Sequence, residues 1–222
     1  MGTTIELAAS DGHRAAAYRA DPAGKPRGGL VVIQEIFGVN SHIRSVADGY
    51  AADGYLAIAP ALFDRVERGF EVGYAPPDME RGRAIRAKVS LDDALKDVAA
   101  AIKAAAAAGK VGIVGYCWGG TVAWAAATRL GGLACSSPYY GGGIAEIAAE
   151  KPRCPVMFHF GETDQHIPMT DVEKIRKAQP GQTLHVYPAG HGFNCEQRGS
   201  YPAASAKLAR ERTLAFLRQH LG

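Results

Sequence analysis

One segment, residues 115–120 with the sequence GYCWGG, constrains the fold more than any other part of this chain. It has the form Gly-x-Cys-x-Gly, which is the nucleophile-elbow pattern with cysteine in place of the usual serine. Valine, isoleucine and glycine at 111–114 lead into it as a buried strand would, and an alanine-rich run at 121–130 predicts a helix after it. The segment therefore predicts a strand, a sharp turn and a helix, with Cys117 at the tip of the turn.

The chemistry of Cys117 follows from that predicted turn. The free N–H groups and the positive end of a helix stabilise a thiolate at the helix N-terminus. Glycines flank this cysteine, as a turn with strained dihedral angles requires. The alternative interpretation is that Cys117 is a small apolar residue inside a strand-to-helix turn, since free cysteine is among the most buried residue types.

The rest of the chain alternates short apolar strands with helical segments. This alternation predicts the α/β class, with a mostly parallel central sheet and helices on both faces. Residues 3–7 and 14–18 are expected to open the fold as an antiparallel pair, because a Ser-Asp-Gly turn joins them. The other predicted strands cover residues 30–34, 55–59, 111–114, 133–136, 156–160 and 184–187.

The predicted helices leave one irregular segment between them. Helices are expected at about 41–53, 80–108 and 201–220, with a break near Ser90 in the second. Residues 62–78, from Leu62 to Asp78, carry two glycines and a Pro-Pro pair and predict no regular structure. A long irregular segment of this kind is expected to act as a lid or as a pocket wall.

Two polar residues follow later predicted strands, as Cys117 follows its own. Asp164 comes after the strand at 156–160, and His191 lies in a glycine-flanked loop after the last strand. Taken singly, Asp164 fits a loop turn or a helix cap, and His191 fits a loop-packing histidine. Taken together, the order nucleophile, acid, histidine matches the α/β-hydrolase fold. Function gathers at the carboxyl ends of parallel strands, so we expect a catalytic triad there.

The loop at residues 34–40 is expected to complete the site. An oxyanion formed during attack by Cys117 needs two backbone donors, and we predict the N–H groups of Trp118 and Ile36. Glu35 stands directly after a buried strand, beside the predicted oxyanion site. A buried carboxylate there is predicted to exchange a proton with Cys117. The alternative is a glutamate bonded to an arginine or to backbone N–H groups at a helix entry.

Composition excludes several other function classes. The net charge is +3 and the basic residues are scattered, which argues against nucleic-acid binding. No apolar stretch approaches the roughly 20 residues of a membrane span, and the N-terminal residues lack the pattern of a signal peptide. The four cysteines form no C-x-x-C pair, so reduced thiols and a cytoplasmic location are expected. The length of 222 residues suits a single domain over residues 1–222.

These motifs together resemble the dienelactone hydrolase family, and the resemblance covers almost the whole chain. It is carried by residues 34–40, 54–55, 115–120, 139–141, 161–168, 189–193 and 211–213. The resemblance implies the α/β-hydrolase fold and hydrolysis of an enol-lactone or activated ester through a thioester acyl-enzyme, an activity of the carboxymethylenebutenolidase type. It implies a triad of Cys117, Asp164 and His191. It also implies that Glu35 holds the thiol in check and deprotonates it when substrate binds.

Family members that act on dienelactone bind the substrate carboxylate with two arginines. Arg83 is the better match for the first, with Arg81 close behind it. The second should follow the histidine by three or four residues, where this sequence has Asn194 and Cys195. Arg198 is the nearest arginine, and this departure puts dienelactone itself in question.

Two aromatic residues, Tyr139 and Phe37, are predicted to line the substrate pocket. For Tyr139, which belongs to a Tyr-Tyr pair at a strand end, the alternative is packing in the core. Trp118 is bulkier than the aliphatic residue often found after the family's nucleophile, so it is expected to reshape the acyl pocket.

Two other functions remain open beside this one. A broad carboxylesterase or thioesterase without a carboxylate-binding pocket fits the missing arginine. A ligand-binding protein on a silent hydrolase scaffold is a remote alternative. The histidines lack a paired metal-binding spacing such as H-E-x-x-H, so we expect no metal and no cofactor. The expected partner is a small ester or lactone, and the expected assembly is a monomer or weak homodimer.

Overall fold

The structure is a computed structural model that describes residues 2–198 and 201–222. Its strands are β1 (Thr3–Ala8), β2 (Arg14–Ala20), β3 (Gly29–Ile33), β4 (Leu56–Pro60), β5 (Val111–Tyr116), β6 (Leu133–Tyr139), β7 (Met157–Gly161) and β8 (Thr183–Tyr187). They form one eight-stranded sheet in the order β1-β2-β4-β3-β5-β6-β7-β8. This sheet confirms the α/β class that the strand and helix pattern predicted, and it matches the α/β-hydrolase fold that the order of the triad residues indicated.

The pairing of the strands confirms the predicted topology. β1 pairs antiparallel with β2, and β2 pairs antiparallel with β4. The other five neighbouring pairs are all parallel: β4 with β3, β3 with β5, β5 with β6, β6 with β7, and β7 with β8. Because parallel strands end at the same edge of a sheet, the loops after β3, β5, β7 and β8 meet at one edge, where the predicted site residues lie.

Six α-helices cover the two faces of the sheet within the described residues. They are α1 (Ser41–Ala52), α2 (Pro76–Arg86), α3 (Leu91–Ala105), α4 (Trp118–Arg129), α5 (Met169–Ala178) and α6 (Ala203–His220). The predicted break near Ser90 is confirmed, since the Ser90 hydroxyl accepts the Asp93 N–H at 3.0 Å and caps α3. In the described part of the chain, none of these helices is both long and apolar enough to cross a bilayer.

The central strands bury both of their faces. In β3, Leu30 and Val32 belong to a core cluster that includes apolar residues of α1 and α6. Val31 and Ile33 point to the opposite face, into a second cluster with residues of α3. This alternation is the period-two pattern of a strand, and helices on both faces explain why β3 is apolar throughout.

Two elements differ from the sequence prediction. The segment 62–78 is not irregular throughout, because a short 3₁₀ helix covers Leu62–Arg65 and α2 begins at Pro76. Proline is favoured in the first turn of a helix, where its missing N–H costs no hydrogen bond, so the Pro-Pro pair starts a helix here. The helix α5 was not predicted. It buries only Val172 and Ile175, which leaves a weak apolar pattern among charged residues.

Candidate active site

The turn between β5 and α4 holds Cys117 in a strained conformation. Its φ of 56° and ψ of −120° lie in a region that residues with a Cβ rarely adopt. The Cys117 N–H donates to the Tyr139 carbonyl oxygen at 3.1 Å, which ties the turn to the end of β6. A Cβ on Gly119 would lie 2.7 Å from the Ile33 carbonyl oxygen, so only glycine lets α4 approach β3 this closely.

The three predicted triad residues form one chain of hydrogen bonds. The Asp164 carboxylate accepts from His191 Nδ1 at 2.8 Å, and His191 Nε2 lies 3.1 Å from Cys117 Sγ. A carboxylate only accepts, so Nδ1 carries the proton and Nε2 faces the sulfur. The other Asp164 oxygen accepts the backbone N–H groups of His166 and Ile167 at 2.8 and 3.2 Å. These bonds fix the carboxylate, which in turn fixes the imidazole ring.

The surroundings of His191 favour its protonated form. Burial alone would lower the pKa of the imidazole, but the hydrogen bonds to Asp164 and Cys117 outweigh burial and raise the pKa to about 10. The imidazolium can donate from Nε2 to the Cys117 sulfur, which lies 3.1 Å away. His166 packs edge-on against the His191 ring, and its own pKa is lowered by burial and by the charge of His191.

Two residues of the cavity carry the backbone N–H groups that are predicted to bind the oxyanion. Ile36 and Trp118 line the same cavity as Cys117 and His191. Among the described residues, neither the Ile36 nor the Trp118 N–H donates to a backbone or side-chain acceptor. Both groups are therefore free to donate to a substrate oxygen, as an oxyanion site requires.

Glu35 is fully buried behind this cavity. One carboxylate oxygen accepts from the Tyr74 hydroxyl at 3.2 Å, and the other lies 3.4 Å from Arg198 Nη2. In the described part of the chain no hydrogen bond joins Glu35 to Cys117, so the proposed proton exchange between them stays a prediction. The structure matches the alternative reading, in which an arginine partners the glutamate. The sequence pattern did not indicate Tyr74, which lies within the segment expected to be irregular.

The cavity in front of Cys117 has a volume of about 270 Å³. Arginines from two elements reach it: Arg83 and Arg86 come from α2, and Arg198 comes from the loop after β8. No aspartate or glutamate of the described residues lines the cavity. Arg81 does not line it either, since its guanidinium lies over the Phe70 ring at 5.5 Å. Residues two apart on a helix face different directions, which places Arg83 but not Arg81 toward the site.

Arg198 is the arginine that reaches the cavity from the segment after His191, where the family spacing predicts an arginine closer to the histidine. The loop turns twice, with the Cys195 N–H donating to the Gly192 carbonyl and the Arg198 N–H donating to the Cys195 carbonyl. These turns bring the Arg198 guanidinium over the Phe37 and Tyr74 rings, at 5.7 and 5.5 Å. Asn194 lines a different cavity and Cys195 is buried. An arginine thus reaches the cavity from farther along the chain than the family spacing indicates.

The two predicted aromatic residues have different places. Phe37 lines the cavity as predicted. Tyr139 does not, because its side chain is fully buried and its hydroxyl bonds the Thr213 hydroxyl at 2.6 Å. Its ring stacks on His159 in the core. The last residue of β6 points into the sheet's packed face, so Tyr139 contributes its backbone carbonyl to the elbow rather than its ring to the substrate pocket.

Comparison with known proteins shows which family this chain is similar to. A profile of the dienelactone hydrolase family matches residues 15–221. The chain is 37% identical over 225 residues to a protein assigned as a carboxymethylenebutenolidase from Synechocystis, covering 92% of this chain and 91% of that protein. It is 34% identical over 227 residues to the carboxymethylenebutenolidase of Pseudomonas putida, covering 96% and 94%.

A solved structure is similar over nearly the full length. It is a protein from Klebsiella pneumoniae assigned as a dienelactone hydrolase, with a TM-score of 0.86 and 32% sequence identity. The match covers 99% of each chain.

Proposed function

The chain belongs to the dienelactone hydrolase family, and on that premise we propose that it hydrolyses small carboxylic esters or lactones through a thioester on Cys117. One observation carries the proposal: a continuous path of hydrogen bonds runs from the Asp164 carboxylate through His191 to the Cys117 sulfur. That path supplies a nucleophile, a proton carrier and a group that orients the carrier.

In the proposed acylation step, the Cys117 thiolate attacks the carbonyl carbon of the ester. The carbonyl π electrons move to oxygen, and the N–H groups of Ile36 and Trp118 bind the resulting oxyanion. When the tetrahedral intermediate collapses, the C–O bond to the leaving group breaks. His191 Nε2 gives that oxygen its proton, which leaves a thioester and a neutral imidazole.

In the deacylation step, water is the nucleophile and His191 again carries the proton. His191 removes a proton from water, the hydroxide adds to the thioester carbonyl, and collapse expels the Cys117 thiolate beside the imidazolium. The acid product is released. Amides are expected to be poor substrates, because a thiolate leaves the tetrahedral intermediate more readily than an amine does.

The charge of the cavity indicates the substrate class. Three arginines line it without a carboxylate among the described residues, so we infer that the acyl group or the lactone carries a carboxylate. Charge-assisted hydrogen bonds to such a group are worth about 1.5–3 kcal/mol each where they are shielded from water.

The test compares two arginines of one helix. Replacing Arg83 with glutamine should raise KM for a carboxylate-bearing ester about tenfold, because one charge-assisted bond is lost. A neutral p-nitrophenyl ester should be turned over nearly as well as by the wild type. Arg81→Gln is the matched control, since Arg81 packs on Phe70 outside the cavity. Equal effects of Arg83→Gln on both esters would contradict a carboxylate-bearing substrate.

The second candidate, a broad carboxylesterase or thioesterase, makes the opposite prediction. Arg198 lies against Glu35, so part of the positive charge in the cavity is already neutralised. If that pairing persists with substrate bound, neutral esters and thioesters should have kcat/KM values as high as those of anionic lactones. A substrate panel measured at one pH and one ionic strength separates the two candidates.

A further inference from the structure

A second group of chemically active side chains lies behind the catalytic cavity. Three residues each offer one potential ligand atom, and these atoms lie within 4.8 Å of one another: Glu35, His42 and Cys195. All three residues are buried. They come from three elements: the loop after β3, the first turn of α1 and the loop after β8. Neither Asp164 nor Cys117 belongs to this group, and the proposed ester hydrolysis does not use His42 or Cys195.

The hydrogen bonding of the His42 imidazole is the observation that indicates a ligand. Its Nδ1 lies 2.9 Å from a Glu196 carboxylate oxygen, so Nδ1 carries the proton and Nε2 presents a lone pair. The side chain is fully buried, and Nε2 has no hydrogen-bond partner among the residues that the structure describes. Buried polar atoms are rarely left without a partner. A histidine that donates to a carboxylate through one nitrogen while the other is free has the arrangement of a metal ligand.

We propose that Glu35, His42 and Cys195 bind a divalent cation of the zinc type. A thiolate, an imidazole and a carboxylate are the ligands that zinc prefers, and they are a poor set for magnesium or calcium. In a tetrahedral zinc site, bonds of about 2.0–2.3 Å place neighbouring ligand atoms about 3.3–3.8 Å apart. The ligand atoms here lie within 4.8 Å of one another, so the widest separation must close by about 1 Å when the ion binds.

The charges around the site are compatible with a dication. Glu35 and a Cys195 thiolate carry two negative charges, which match the two positive charges of the ion. Glu196 adds a negative charge beside His42, and Arg198 adds a positive charge beside Glu35. Binding converts the Cys195 thiol to a metal thiolate and releases its proton to solvent. The ion would compete with Arg198 for the Glu35 carboxylate, so its occupancy is linked to the arginine that reaches the catalytic cavity.

The experiment titrates cobalt(II), a spectroscopic stand-in for zinc, into metal-free protein. The Cys117→Ser background removes the other thiol that lies beside an imidazole. We expect a near-ultraviolet thiolate-to-cobalt band that saturates at one ion per chain. The band should be lost when Cys195→Ser is added, and it should persist when the buried Cys154 is replaced instead. No thiolate band, or a band that survives Cys195→Ser, would overturn the proposal.

Two further variants test the site if Cys195→Ser fails to fold. In the Cys117→Ser background, His42→Gln should weaken cobalt binding at least tenfold, because it removes a direct ligand. Glu196→Gln should weaken it about 10- to 100-fold, as loss of a hydrogen-bonded partner of a ligand does. Unchanged affinity in His42→Gln would overturn the proposal, whatever the result for Cys195. In both variants the measurement is cobalt binding, which does not depend on ester turnover. Failure of the metal-site proposal can therefore be distinguished from failure of the proposed hydrolysis.

Discussion

At the scale of single residues, Cys117 combines reactivity with backbone strain. Its positive φ costs about 1–3 kcal/mol for a residue with a Cβ. We expect Cys117→Gly to be about 1 kcal/mol more stable to urea than Cys117→Ala, because glycine adopts this conformation without strain. At Cys154, which has no positive φ, the alanine variant should be the more stable one. Greater stability of alanine at position 117 would show that the turn is unstrained.

The second residue-scale prediction concerns His191 and pH. Its folded pKa is raised to about 10 and its unfolded value is about 6.5, so the folded state holds the proton more tightly. This contribution to stability is full below pH 6.5 and is lost as pH rises toward 10. The stability deficit of His191→Gln relative to wild type should therefore shrink over that range in urea denaturation.

His185 supplies the control of opposite sign. Burial and the charge of Arg212 lower its pKa, so its protonation opposes folding in acid. His185→Gln should gain stability relative to wild type as pH falls below 6.5. A deficit of His191→Gln that stays constant from pH 6 to pH 10 would contradict the raised pKa of His191.

At the scale of elements, the elbow depends on the close approach of α4 to β3. A Cβ on Gly119 would clash with the carbonyl oxygens of Ile33 and Gln34, which are backbone atoms and cannot rotate away. We expect Gly119→Ala to cost about 1–3 kcal/mol of stability and to lower turnover, because it displaces the segment that carries Ile36. Gly131→Ala, where nothing lies within 4 Å, should change neither. Equal stability of the two variants would contradict this account of the elbow.

The elements also show what the sequence could predict. The strands were predicted from apolar runs, and the triad was predicted from three residues that each follow a strand within a few positions. The helix α5 was missed because only two of its residues are buried. Arg198 could not be assigned to the cavity from spacing, because two turns of the loop determine where its side chain lies. The burial of Tyr139 depends on which way the last residue of β6 points, which the Tyr-Tyr pair does not reveal.

At the scale of the whole molecule, the sheet brings together residues that are distant in sequence. The parallel order β3-β5-β6-β7-β8 places Cys117, Asp164 and His191 at one edge, although 74 residues separate the cysteine from the histidine. The same edge carries Glu35 and the arginines of the cavity. The single-domain organisation and the expected monomer or weak homodimer stay predictions, which limited proteolysis and sedimentation would test.

The most direct measurement of the central claim is the mass of the protein during turnover. The protein is mixed with a p-nitrophenyl ester, quenched in acid and analysed by intact-mass and peptide mass spectrometry. We predict a mass increase equal to the acyl group, located on the peptide that contains Cys117 and absent from folded, inactive Cys117→Ala. An adduct on another residue, or full turnover by Cys117→Ala, would contradict the assignment of this sulfur as the nucleophile.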